Sequence, residues 1–270
     1  MVLITYFLMN DNHAADAFAF AGILTRRKLW QAIYFQDTFF TVLLALPPTA
    51  THTDVRIEDL HPENDNLLEQ ANPTDVSYIA SMWHLAKIVQ TKICTPRSLS
   101  LPISQSPAER TLLINEFRRI YMSFPAPLRT ISEVYISDLA RRNKRLARQT
   151  LFLTSNYFHC LMLVYADQHA NFERDDHGIL NAAHDAISSF FLLHAYFSEE
   201  AKVWYHFAHR AFLEAQMIAE TVQTSVDISV TESVRERGRQ DVSRMIGILE
   251  LSSGSDFQAS TRVAVLNQYS

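Results

Sequence analysis

Glycine and cysteine are scarce in this chain. Its 270 residues include only 5 Gly and 2 Cys, against 9 Pro. Tight hairpins draw on glycine for positive backbone φ angles, so the shortage argues against a sheet-rich fold. Two cysteines, Cys94 and Cys160, give no disulfide framework and fit a reducing compartment. A basic excess is missing too: the formal charge is −5. A chain that neutralises nucleic-acid phosphates by itself usually carries net positive charge. Long apolar runs are also lacking. Residues 2–9 have no basic flank or small-residue cleavage site, and Asn156 and His159 interrupt the run Leu151–Tyr165. Neither a secretory signal nor a bilayer-spanning segment is expected, so the protein reads as soluble and intracellular.

Catalytic signatures are likewise missing. The chain contains no G-x-S-x-G, P-loop, H-E-x-x-H or G-x-G-x-x-G motif, so no enzyme class is indicated. Aromatic-rich helical chains of this length include terpene cyclases. Asp175-Asp176-His177-Gly178-Ile179 lacks the third carboxylate of their magnesium motif.

What is present is helical patterning. Hydrophobic residues make up 48% and charged residues 20%, enough to build a substantial core. The expected class is all-α, one multi-helix domain over residues 1–270. Helices are expected on both sides of Asn10–His13, ahead of the clearest element, Arg26–Leu46. There Leu29, Ile33, Gln36, Phe40 and Leu43 form one stripe, with Trp30, Tyr34 and Asp37 on the neighbouring face. Such a helix, apolar nearly all round, reads as a central strut ended by Pro47-Pro48. Asp37, set among aromatics, needs a neutralising neighbour and reads first as a packing-specificity residue.

Beyond the polar stretch 49–72, a second helix is expected from Thr74, with Ile79, Met82, Ala86, Val89 and Ile93 inward, stopping before Pro96. Ser106-Pro107-Ala108-Glu109 forms a capping-box start for a helix to about Tyr121. A long helix is expected to start between Ser137 and Lys144 and to reach Tyr165. Asp175–His177 reads as a loop. Helices follow at about 179–197, 199–223 (capped by Ser198), 231–251 and 257–267. Ser252–Ser255 reads as a turn, and no internal boundary is apparent.

Three polar groups invite a functional reading. Arg141-Arg142-Asn143-Lys144-Arg145-Leu146-Ala147-Arg148 fits a nuclear import signal or a phosphate contact, against the plainer reading of a solvated helix start. Basic residues are mildly unfavourable at a helix N-terminus, so something must offset them or the helix begins earlier. His206 and His209 stand at i and i+3, a spacing able to hold a metal, but no carboxylate is fixed beside them. Asp175-Asp176-His177 is a comparable cluster. His159 and Cys160 are adjacent, about 100° apart on a helix, so they do not form a nucleophile–base pair and read as core or boundary residues.

The segment Arg26-Arg27-Lys28-Leu29-Trp30-Gln31-Ala32-Ile33-Tyr34-Phe35-Gln36-Asp37 resembles the signature of the fungal zinc-cluster transcription factor regulatory domain, also called the middle homology region. That family places paired basic residues before Leu-Trp, an aromatic four residues later and an Asp seven after the Trp. Leu43-Leu44-Ala45-Leu46-Pro47-Pro48 is similar to its helix end, often Leu-Gly-Arg-Pro-Pro. Leu151–Tyr165 and His184–Ala219 resemble its later helices. The residues carrying the match are Arg26, Arg27, Leu29, Trp30, Tyr34, Asp37, Pro47 and Pro48.

The resemblance implies an all-helical regulatory domain acting on RNA polymerase II transcription in the nucleus. Its partners would be transcription machinery, regulatory proteins or a small effector. The alternative is a helical small-molecule-binding or enzymatic domain. The family's DNA-binding module holds two zinc ions with six closely spaced cysteines. This chain has two cysteines, so no cofactor and no direct nucleic-acid binding are expected of it. Relatives also carry a Gly-Leu-His-Arg-like stretch ahead of the signature. Here Leu24-Thr25 runs straight into Arg26, which reads as a segment missing near 24–26 and a shortened N-terminus.

Overall fold

The computed structural model describes residues 23–48, 73–168, 173–252 and 257–269. Within these, the side chains of 23–32, 205, 252, 257 and 258 are excluded. The expected elements before residue 23, the connector 49–72 and most of the turn at 252–255 lie outside the described residues. All regular structure among the described residues is helical, as the class requires. The helices group into two compact units.

The first unit spans residues up to Ile103 plus Met122–Pro125. Its helices are α1, Ile23–Leu44, and α2, Pro73–Val89. α1 ends as expected before Pro47-Pro48, and Ala45 beyond it takes φ 52°, the left-handed conformation that closes many helices. α2 does not stop ahead of Pro96. It widens into a π-helical turn, Gln90–Cys94, where the Thr95 N–H donates to Gln90 O, and continues as α3, Thr95–Ser98. Pro96 follows directly on this π turn, whose wider winding accommodates a residue with no N–H to give. The inward face of α2 is Met82, Trp83, Leu85, Ala86, Ile88 and Val89, whereas Ile79 is 36% exposed and not part of it.

The second unit holds the rest. α4, Pro107–Ser123, begins with the anticipated box: the Glu109 N–H donates to Ser106 Oγ, and Glu109 Oε2 accepts from the Gln105 N–H. A short α5, Ala126–Arg129, precedes α6, Glu133–Arg142, and α7, Lys144–Ala166. Sequence patterning missed α6 because Asn143 alone separates it from α7. The Asn143 N–H closes α6 on Leu139 O, and its Oδ1 accepts from the Leu146 N–H to open α7. α8 covers Asp176–Tyr196, so Asp176 and His177 are helical and not loop residues. Asp175 is the cap, accepting from the Gly178 N–H at 2.7 Å.

The expected helix 199–223 is two: α9, Ser198–Val203, and α10, Tyr205–Thr224, parted at Trp204. Ser198 is the first residue of α9 and caps nothing, because Phe197 holds the cap position. α11, Glu232–Ser252, and α12, Phe257–Leu266, complete the unit, with a 3-10 turn at Asn267–Tyr269.

Within this unit α8 is the strut, packed against α7, α10 and α11. Its Ala182, Ala183 and Ala186 are buried, and small side chains let helix axes approach closely. Thr154 and Ser189 hydroxyls meet at 3.2 Å between α7 and α8. Rings of Phe117, Tyr121 and Phe158 surround Tyr157. Among the described residues, α1 packs on α2 and the π turn.

Candidate functional site

Among the described side chains of α1, the buried ones are Ile33, Tyr34, Thr38, Thr41 and Val42. Gln36, Asp37, Phe40 and Leu43 are half-buried. From residue 33 onward the inward face is thus turned from the expected Ile33–Leu43 stripe toward the Tyr34 side. The cause is tertiary. Tyr34 packs on Trp83 of α2 with ring centroids 4.8 Å apart, and Phe35 meets the same indole at 6.0 Å. Cys94 Sγ donates to Thr38 O, and Arg97 donates to Val42 O at 2.6 Å, so the π turn and α3 grip the last turns of α1. Burial pushes the Tyr34 hydroxyl well above its usual pKa, with Cys94 and Asp37 adding to it. Asp37 therefore lies near Tyr34 at the edge of the packed face. Arg26, Arg27, Leu29 and Trp30 lie on α1, and their side chains are outside the described set. Pro47 is exposed and Pro48 half-buried just past the helix end.

The basic run is divided between two helix ends. Arg141 and Arg142 occupy the last turn of α6, where positive charge suits the helix dipole. Both pair with Asp138, at 3.8 and 2.9 Å. Lys144 and Arg145 start α7, and all four side chains are exposed. Arg148, one turn on, pairs with Glu200 of α9 at 2.8 Å. Asn143 solves the electrostatic difficulty by letting half of the run end one helix instead of beginning another.

The most unusual chemistry is buried between α7 and α10. His159 is 3% exposed and its Nδ1 lies 2.9 Å from Glu214 Oε1. Arg210, one turn before Glu214, bonds Asn156 Oδ1 and, at 2.8 Å, Ser155 Oγ. Its guanidinium lies over the Phe207 ring, 4.7 Å from the centroid. Burial pushes the Glu214 carboxyl up to about 8, with Arg210 pulling it back in part. Burial lowers the Arg210 pKa, against the pull of Glu214 and Cys160. Cys160 is 1% exposed, so of the core and boundary places open to it and His159 the structure gives both the core. Reading the chain alone missed Arg210 and Glu214. The signal was there: an Arg and a Glu at i, i+4 inside the apolar stripe Phe207, Ala211, Ala215, Ile218.

A second pair is half-open. His184 Nδ1 of α8 lies 2.6 Å from Asp241 Oδ2 of α11, and Asp185 stands in the field of both and of Arg237. His206 and His209 do not converge on a common ligand. His206 sits edge-on to Phe152, and burial, then Arg210, lowers its pKa to about 4. His209 faces Arg262, 3.2 Å away. Asp175 and Asp176 are engaged in the α8 cap and with Arg174. Among the described residues no group of three or more His, Cys, Asp or Glu side chains could hold a metal ion. No helix among them is long and apolar enough to cross a membrane. Compared with models of known families, with curated proteins and with solved structures, the chain matches none.

Proposed function

We propose that this chain is a regulatory and interaction domain of the fungal zinc-cluster transcription factor kind. It modulates RNA polymerase II transcription in the nucleus through protein partners or a small effector, and the DNA-binding zinc cluster is not part of it. The supporting observation is the end of α1. Ala45 adopts a left-handed φ of 52°, which glycine takes at least cost, and it stands where the resembled motif has its glycine, two residues before the proline pair. Tyr34 of the same signature packs into Trp83. An overall charge of −5 and a basic patch confined to one helix junction give little to hold a phosphate backbone.

Tethering the chain to an unrelated DNA-binding domain upstream of a reporter tests the reading. A several-fold change in transcription is expected, and an unchanged reporter would count against it. In gel shifts at physiological salt the isolated chain should leave DNA unshifted; tight sequence-specific binding would refute the assignment. For localisation, replacing Arg141, Arg142, Lys144 and Arg145 by Ala in a fluorescent fusion should reduce nuclear accumulation.

The second reading, a helical domain that binds a small molecule or acts on one, is favoured by the buried Arg210–Glu214–His159 group, since perturbed ionisable clusters concentrate at functional sites. Saturable ligand-dependent stabilisation, lost on Arg210→Met, would favour this reading over the first.

A further inference from the structure

Glu214 stands at a fork. Its Oε1 lies 2.9 Å from His159 Nδ1 on α7 and 3.7 Å from Arg210 Nε on its own helix. Among the described residues neither its Oε2 nor the Arg210 Nε–H has a hydrogen-bond partner, although Glu214 is 0% and Arg210 5% exposed. The two terminal amino groups of Arg210 are given to α7, at Asn156 and Ser155. Arg210 thus holds the neighbouring helix and only approaches Glu214. A neutral carboxyl leaves that arrangement undisturbed. An ionised one, in a poorly solvated setting, draws the guanidinium into a charge-assisted hydrogen bond. The two states differ by one proton and one exchange of hydrogen bonds.

We infer that Arg210 and Glu214 form a proton-operated latch between α7 and α10. With Glu214 neutral, Arg210 clasps Asn156 and Ser155. When Glu214 releases its proton to water, Arg210 turns Nε to the carboxylate and its grip on α7 slackens. The slackened end of α10 is the one next to Trp204, whose ring neighbours Phe152 and Phe207 in the same cluster.

The charged and titratable groups around this site are few. α7 contributes His159 and Cys160, and α10 adds His206 one turn before Arg210. From α8, His184 bonds Asp241, and Asp185 lies in the field of His184, Arg237 and Asp241 and acts on Tyr121 and Tyr157. Glu199 and Glu200 of α9 pair with Lys202 and Arg148. Arg244 of α11 lies over Phe191, and Arg262 of α12 over Phe212. The raised Glu214 pKa, about 8, puts the exchange just above neutrality.

NMR on the isotopically labelled full chain tests the latch, following the Glu214 carboxyl carbon and the Arg210 Nε–H from pH 5.5 to 9.5. Glu214 should titrate with a midpoint near 8, and the Arg210 signal should move with the same midpoint. In Glu214→Gln the Arg210 signal should stay still. A Glu214 midpoint below pH 5, or an Arg210 signal indifferent to Glu214 ionisation, would overturn the proposal. The wild-type titration alone decides if the variant does not fold.

Discussion

At the scale of single residues, the buried ion cluster makes the firmest predictions. The folded pKa of Glu214, about 8, lies above its ordinary 4.5. Its stabilisation is therefore fully present below pH 4.5 and is lost as pH rises through 8. His206 runs the other way: lowered from 6.5 to about 4, it contributes above pH 6.5 and its contribution is lost as pH falls through 4. The two slopes oppose each other between 4.5 and 6.5. Above 6.5 only that of Glu214 remains, so stability should fall by up to ~1.4 kcal/mol per pH unit toward pH 8. Urea denaturation at several pH values checks this, and Glu214→Gln should flatten the decline. Arg210→Met should cost roughly 1–3 kcal/mol for each of the acceptors it strands in the core, Asn156 Oδ1 and Ser155 Oγ. Removing both charges, as Arg210→Met with Glu214→Leu, should cost less than the single change. If the double variant is the weaker one, the Arg210–Glu214 group stabilises more than its burial costs.

At the scale of elements, two glycines and two helix ends separate crowding from propensity. A Cβ on Gly178 would lie 2.3 Å from Tyr165 Cδ1, where the first turn of α8 crosses the end of α7. Gly178→Ala should therefore cost about 1–3 kcal/mol through overpacking. Gly247, inside α11, has nothing within 4 Å of the same position. Gly247→Ala should be neutral or stabilise by about 0.5–1 kcal/mol, from helix propensity alone. Asp175→Ala removes the α8 cap at an expected ~1 kcal/mol. Ala45→Gly should raise stability by up to about 1 kcal/mol, as it relieves a left-handed alanine. Shifts of the urea midpoint at constant m-value read all four. A destabilised Ala45→Gly would break the parallel drawn between this helix end and the glycine of the resembled motif.

At the scale of the whole molecule, the composition and helix signals that act within a turn or two were readable along the chain. Few glycines, regular apolar spacing and the Ser106–Glu109 box gave the all-α class and most helix positions, because capping and propensity are local. The exceptions follow the same logic. Asn143 and Trp204 divide helices with no glycine or proline to announce it, and Pro96 is carried within a helix by a π turn. Tertiary structure decided what depends on a partner helix. Trp83 chose which face of α1 turns inward. A separation of 55 residues was closed to bring His159 onto Glu214. Repeat spacing tells which residues share a face, but burial and charge pairing depend on the helix opposite, and no window of sequence contains it.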